Sequence, residues 1–335
     1  MALEMDSWAV TGAQSSARIA RLMHQSGTAS GNGVVDVGHL QVLPLEVPGG
    51  GVRILAGGAT ILGKEQEFQG SYFAYNVGTD TVDIASTGSG GGRSDLVVLQ
   101  VEDPNIDGTP WGHDVTTDPV YYFRVIEGVS STATEAPSGT TAIPLARIDL
   151  PASTGTVTAA HITDLRQSAN PRTERVLRTQ FGEGLEDGRM DYADYKIDYE
   201  RWPQHDWVVT IPEWATQVQV VANWVNVVYP APSSTTGVDA RGRVRVGLIG
   251  GGGNNLFTRH SFYNFNQQGV NNAYRCSIGL SNDVMIPESM RGRTCQLRMY
   301  AQATDVTNHY LLMDGWANAF VDLQFNEIPA PRSQL

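Results

Sequence analysis

Apolar and polar positions alternate with a period of two over most of this chain, the pattern of half-buried strands. The exception lies near the start. In residues 13–25 (AQSSARIARLMHQ), Ala13, Ala17, Ala20 and Met23 recur at helical spacing beside Ile19 and Leu22, and Gly27 stops the run. One short helix is predicted, followed by the loop GTASGNG. From Val34 onward, β-branched and aromatic runs bounded by Gly, Pro or Asp take over: GVVDVGHLQVLPLEV, GVRILAGGATILG, SYFAYNVG, DTVDIAST, SDLVVLQVED, VYYFRVIEG, IPLARIDLPA and HITDLRQS. Roughly seven strands in this stretch predict a small sandwich or barrel.

Residues 169–206 read as a connector, where Tyr192, Tyr195 and Tyr199 fit either a helical stripe or an irregular strap. Beyond it DWVVTIP, TQVQVVANWVNVVYP, GRVRVGLIG, YRCSIGLS, RTCQLRMYAQA and GWANAFVDLQFNE alternate again and predict a jelly-roll-like sandwich. TQVQVVANWVNVVYP reads as turning back onto GRVRVGLIG as a pair, and residues 257–274 as a loop. Alternation assigns Ala317, Ala319, Val321, Leu323 and Phe325 to one face, with Cys295, Leu297, Met299 and Ala301 and with Val244, Val246 and Leu248. Trp224 shares its face with Val218, Val220 and Ala222 and is expected in the core. The predicted organisation is mainly β: a helical segment at 1–29, a β-rich module at 30–168, a connector at 169–206 and a C-terminal β-sandwich at 207–335.

Charge narrows the function. The chain carries 23 basic and 35 acidic residues, a net charge of −12, which argues against a nucleic-acid backbone as partner. Residues 1–170 hold 8 basic and 18 acidic groups and the remainder 15 and 17, an asymmetry that supports a boundary near 170. Only Lys64 and Lys196 are lysines, so 21 of the cations are arginine. No apolar stretch approaches the roughly 18 residues of a membrane span, and MALEMDSWAV has neither the basic nor the apolar region of a signal peptide. Cys276 and Cys295 match no metal or redox spacing and are expected as buried free thiols.

Catalytic motifs are absent from the reading. The run GLIGGGGNN at 247–255 follows a strand but lacks the Lys-Ser/Thr pair of a phosphate loop. Asp103, Asn105, Asp107, Gly108 and Asp114 imitate a calcium loop, with Pro104 and the short Asp114 against it; a plain turn is the expectation. The seven histidines are scattered, and no GxSxG elbow occurs. No enzyme activity, metal or cofactor is expected. What remains is a polar-aromatic surface opposite the core face: Trp316 and Phe320, Arg298 and Tyr300, with Tyr263 and Asn264 from the 257–274 segment. Such side chains suit stacking on a sugar and hydrogen bonding to its hydroxyls, and they equally suit a subunit interface.

The order of four segments is similar to a module of phage minor tail and baseplate proteins. GRSDLVVLQVED (92–103), VYYFRVIEG (120–128), IPLARIDLPA (143–152) and HITDLRQS (161–168) carry it, with Arg93, Asp95, Pro144, Leu145, Ala146, Ile162, Asp164 and Arg166 at the matching positions. The resemblance implies a structural part of a virion tail tip, baseplate or tail fibre, from a phage of a high-GC host and assembled in the host cytoplasm. It further implies a homotrimer attached through its N-terminal β-rich module to other tail proteins. The alternative is a receptor-binding protein whose C-terminal sandwich meets host cell-wall glycan.

Overall fold

Ser16 starts the helix, because its hydroxyl accepts the Ile19 N–H at 3.2 Å and caps the first turn. In the computed structural model, α1 spans Ala17–Gly27, while Ala13 lies outside the described residues, which are 11–12, 15–106, 114–182, 188–190, 198–230, 238–267, 273–304 and 310–329. They divide into two units, one reaching to Pro171 and the other spanning Arg172–Glu327.

The first unit holds β1 (Gly33–Val34), β2 (Val42–Pro44), β3 (Gly51–Ile54), β4 (Gly57–Leu62), β5 (Ser71–Asn76), β6 (Asp80–Asp83), β7 (Arg93–Val101), β8 (Tyr121–Val129), β9 (Ala142–Leu150) and β10 (Ile162–Asp164). These strands form three antiparallel sheets, β1-β4-β5, β2-β3-β6 and β10-β9-β7-β8, rather than a closed barrel. A shared core of Val34, Leu40, Ile54, Ile61, Val97, Leu99, Leu145 and Ile148 joins them. Strand β7 is buried on both sides, since Leu96 and Val98 pack with Ala142 in a second, smaller cluster. Helix α1 buries no side chain; Arg21 holds it through the Gln69 carbonyl at 2.8 Å and the Asp103 carboxylate at 3.2 Å.

The second unit holds β11 (Thr173–Gln180), β12 (Gly188–Met190), β13 (Glu200–Thr210), β14 (Gln217–Tyr229), β15 (Val238–Ile249), β16 (Asn255–Phe257), β17 (Ser261–Gln267), β18 (Tyr274–Met285), β19 (Thr294–Ala303), β20 (Leu311–Met313) and β21 (Asn318–Asn326). One sheet runs β11-β21-β14-β18, with β12 and β20 as a short addition; the other runs β13-β19-β15, with β16 and β17 pairing successive parts of β15. Taking β16 and β17 as one bent strand, joined where the Thr258 N–H reaches the Val246 carbonyl, the two sheets read 1-8-3-6 and 2-7-4-5 in chain order. That is jelly-roll connectivity, and every one of these pairs is antiparallel.

This connectivity explains three departures from the sequence reading. Strand β11 lies inside the expected connector because the last strand, β21, needs an edge partner, and Arg172 beside it clasps the buried Glu327 at 2.8 Å. The expected pair 216–230 and 242–250 is not a pair: the third and fourth strands of this jelly roll belong to different sheets, so β14 and β15 bond to other neighbours. The described residues of 257–274 are mostly strand, not loop, since β17 follows β15 across seven residue pairs. The Gly-rich run is the β15–β16 turn, where Gly251, Gly252 and Gly253 all take positive φ.

Between the sheets, the faces fall as alternation predicts: Val244, Leu297, Met299, Val321, Leu323 and Phe325 belong to one core. At its centre Trp224 is fully buried, stacks on Trp202 and donates its indole N–H to the Trp202 carbonyl at 2.6 Å. Trp202 reaches that position because the β13–β19 register shifts between Arg201 and Asp206.

Arg166 supplies the fold's clearest stability test. Its buried guanidinium forks onto Asp164 at 2.7 and 3.0 Å and donates to the Val37 and His39 carbonyls. Arg166→Ala strands these acceptors and is expected to cost about 3 kcal/mol. Hydrogen-exchange mass spectrometry checks it: amides at 33–40 and 162–168 should exchange faster, with those of β13 and β14 unchanged.

Candidate functional site

The outward positions of the 2-7-4-5 sheet concentrate cations and rings. On β15, Arg241, Arg243 and Arg245 fall on the outer side because Ala240, Val244 and Val246 fill the inner one. Register places Tyr300 of β19 beside both Arg245 and Arg201, Gln302 beside Arg243, and Phe262 of β17 on the other flank of Arg243. Asn264 stands opposite Arg241.

Arg245 is packed by aromatic faces. Its Cζ lies 3.9 Å from the centroid of Tyr199, 4.1 Å from Phe257 and 5.6 Å from Tyr300. Gly247 makes this possible, since a Cβ there would stand 2.7 Å from Phe257 and 3.0 Å from Tyr300. Arg243 sits 5.2 Å from the Tyr199 ring and donates to Gln302 at 2.6 Å. Burial raises the Tyr199 phenol pKa, against the pull of these two cations. The other arginines have carboxylates: Asp206 takes Arg201 at 3.2 Å and Arg298 at 3.0 Å, and Asp239 takes Arg241.

The six residues singled out from sequence do not form one surface. Arg298, Tyr300 and Asn264 are on the outer side of the 2-7-4-5 sheet, with Tyr300 only 8% exposed under its neighbours. Tyr263 is buried and points inward, where burial raises its phenol pKa, because its alternation with exposed Phe262 puts it in the core. Phe320 lies on the outer side of the 1-8-3-6 sheet, beside Thr179 and Asn223. Trp316 precedes that strand in a turn and is 78% exposed. The outer sides of two packed sheets face away from each other, so Trp316 and Phe320 are separated from Arg298 and Tyr300. Sequence reading left Tyr199, Phe257 and Phe262 out of the site; the alternation GRVRV already marked Arg243 and Arg245 as outward, but only the fold brings the rings to them.

In the first unit, the conspicuous charged residues have structural partners. Arg93 forks onto buried Asp95 at 2.8 and 2.9 Å, and Asp95 also accepts the Gly128 N–H. Arg147 repeats the i, i+2 pairing with Asp149, its Nε donating to both carboxylate oxygens. At the calcium-like segment, Asp103 accepts from Tyr72 at 2.8 Å and from the Asn105 side chain and backbone, and Arg21 stands against it. Its oxygens are therefore engaged by protein donors; Asp107 and Gly108 lie outside the described residues. Asp114 folds onto the Thr116 N–H and hydroxyl, which hold its carboxyl below the usual range. Among the described residues, no group of three or more His, Cys, Asp or Glu is arranged to hold a metal.

The fold defines a protein with a jelly-roll β-sandwich and a β-rich partner unit. No family model matches the chain, and no curated protein is similar to it. Among solved structures it is similar to the infectious bursal disease virus VP2 subviral particle, with TM-score 0.22 and 10% identity over 92% of this chain and 79% of that one. It is also similar to the N-terminal CBM22-1-CBM22-2 tandem domain of Paenibacillus barcinonensis Xyn10C, with TM-score 0.21 and 10% identity over 85% of this chain and 97% of that one. Scores this low carry no argument, and the jelly-roll assignment rests on strand pairing alone.

Both cysteines are free thiols, and they belong to opposite sheets, Cys276 on β18 and Cys295 on β19. Burial pushes the Cys276 thiol up to about 11 from an ordinary 9.0. Its thiolate fraction at pH 8 then falls roughly a hundredfold below that of a free thiol. Native-state labelling with iodoacetamide should leave Cys276 unmodified at pH 8 and accelerate as pH rises past 10, read by peptide mass spectrometry.

Proposed function

We propose that this chain is a structural component of a viral particle, of the phage tail-tip or baseplate kind, that assembles as a homo-oligomer and works by packing rather than by catalysis. One observation carries the reading. The four segments that resemble the tail and baseplate module, separated by loops in sequence, fold as the single sheet β10-β9-β7-β8. The residues at the matching positions are those that hold this sheet: Arg93 with Asp95 at the start of β7, and Asp164 with Arg166 at the end of β10. Ion-pair forks and core side chains at these positions brace the module, which is what an assembly part requires. A jelly roll is also a recurrent architecture of capsid and lectin domains, although fold alone assigns no function.

A second reading, contact with host cell-surface glycan through the jelly roll, is favoured by exposed aromatics: Trp316, and Phe262 at 70% exposure, stand clear of the core. The two readings are compatible, since a tail-tip part can also meet the host.

Light scattering after size exclusion, together with antibody labelling of purified particles, tests the structural reading. A solution mass three times that of the chain and label at the tail tip are expected; a monomer at every concentration, absent from particles, overturns it.

A further inference from the structure

Among the described residues, Arg243 and Arg245 on the outer side of the 2-7-4-5 sheet have no carboxylate partner. Arg201, Arg241 and Arg298 are each paired with Asp206 or Asp239. Arg243 and Arg245 are not: their partners are the Gln302 amide and the rings of Tyr199, Phe257 and Tyr300. The Arg245 Nε is buried and has no hydrogen-bond acceptor. Removing a guanidinium N–H from water without an acceptor is unfavourable, and an anion reaching the group's remaining N–H donors would offset it. This occurs in a chain of net charge −12, where carboxylates are plentiful and yet, among the described residues, none pairs with Arg243 or Arg245.

We propose that this face binds an acidic pyranose saccharide, its carboxylate held by Arg243 and Arg245 and its sugar ring stacked on Phe262. The proposal rests on the glycan-contact reading and gives it a site and a ligand class. Phe262 is the cross-strand neighbour of Arg243, with Cβ atoms about 5 Å apart, so ring and charge are spaced for one sugar unit. Exposed Asn264, the next outward residue on the same strand, supplies an amide for hydroxyl groups. The Tyr199 and Phe257 rings lie within about 4 Å of the Arg245 Cζ, and because rings attract a guanidinium through their faces, its in-plane N–H groups are the ones a further acceptor would meet. A planar carboxylate fits those groups as a two-bond fork.

Calorimetric titration of the full chain with oligogalacturonate, against a neutral galacto-oligosaccharide of equal length, tests the proposal. The acidic oligomer should bind saturably, with affinity falling as salt rises, and the neutral one at least tenfold more weakly. Arg243→Gln and Arg245→Gln should each weaken binding roughly tenfold or more. Phe262→Ala should also weaken it, and Arg175→Gln on the opposite sheet should leave it unchanged. Because Arg245 is packed, Arg245→Gln is first checked by thermal unfolding; if it fails to fold, Arg243→Gln and Phe262→Ala carry the test. Absence of acidic binding, or binding that these variants do not change, overturns the site. Binding of the neutral oligomer that is lost in Trp316→Ala overturns it too, while leaving the glycan reading standing. Stronger competition by poly(glycerol phosphate) than by oligogalacturonate overturns the carboxylate assignment.

Discussion

Register is the constraint on which the C-terminal unit depends. Along β15, β19 and β21, successive side chains go alternately to the core and to the outer side, so a slip of one residue on β15 would carry Arg243 and Arg245 inward and Val244 and Val246 outward. The cost of burying those guanidinium groups, several kcal/mol each, makes the slipped arrangement inaccessible. The same alternation therefore builds the core and the cationic outer side in one stroke. The register shift on β13 between Arg201 and Asp206 brings Trp202 over Trp224 and still leaves Arg201 and Asp206 within an ion pair of each other.

The first unit solves a different problem with local means. Its strands are short, and among the described residues only β7, β8 and β9 reach nine residues. Forks between residues two apart on one strand, Arg93 with Asp95, Arg147 with Asp149 and Asp164 with Arg166, let the chain place charge at sheet margins without leaving it unpaired. Each fork then reaches out to a backbone group elsewhere: the Ala85 carbonyl, the Ala133 carbonyl, and the Val37 and His39 carbonyls respectively. Side chains that look like a charged motif in sequence are thus cross-links between strands and loops.

What was legible in sequence follows from this. The helix, the strand-rich class and the inner faces around Val244, Leu297, Val321 and Trp224 depend on local periodicity, and they could be read directly. Strand partners could not. Nothing local to residues 173–180 announces a strand whose partner is 319–326, because that pairing is rewarded only after the rest of the sandwich has closed. The surface suffered most. Phe320 and Tyr300 look equivalent when each strand is read alone, yet they stand on opposite sheets, and Tyr199, from the expected connector, supplies the ring nearest to Arg245.

The clasp between Arg172 and Glu327 has a topological consequence. It ties together the first and last residues of the second unit, where the Arg172 and Glu327 backbones also exchange a hydrogen bond at 3.0 Å. Chain entry and chain exit are therefore neighbours, which is the geometry of a cassette inserted at one point of a host chain. Recombination that swaps everything between these two positions would alter what the protein presents to its surroundings, while the fork-braced module before Pro171 keeps its own sheets and core. Change within the jelly roll is thus separable, at the level of the gene, from change in the unit that precedes it.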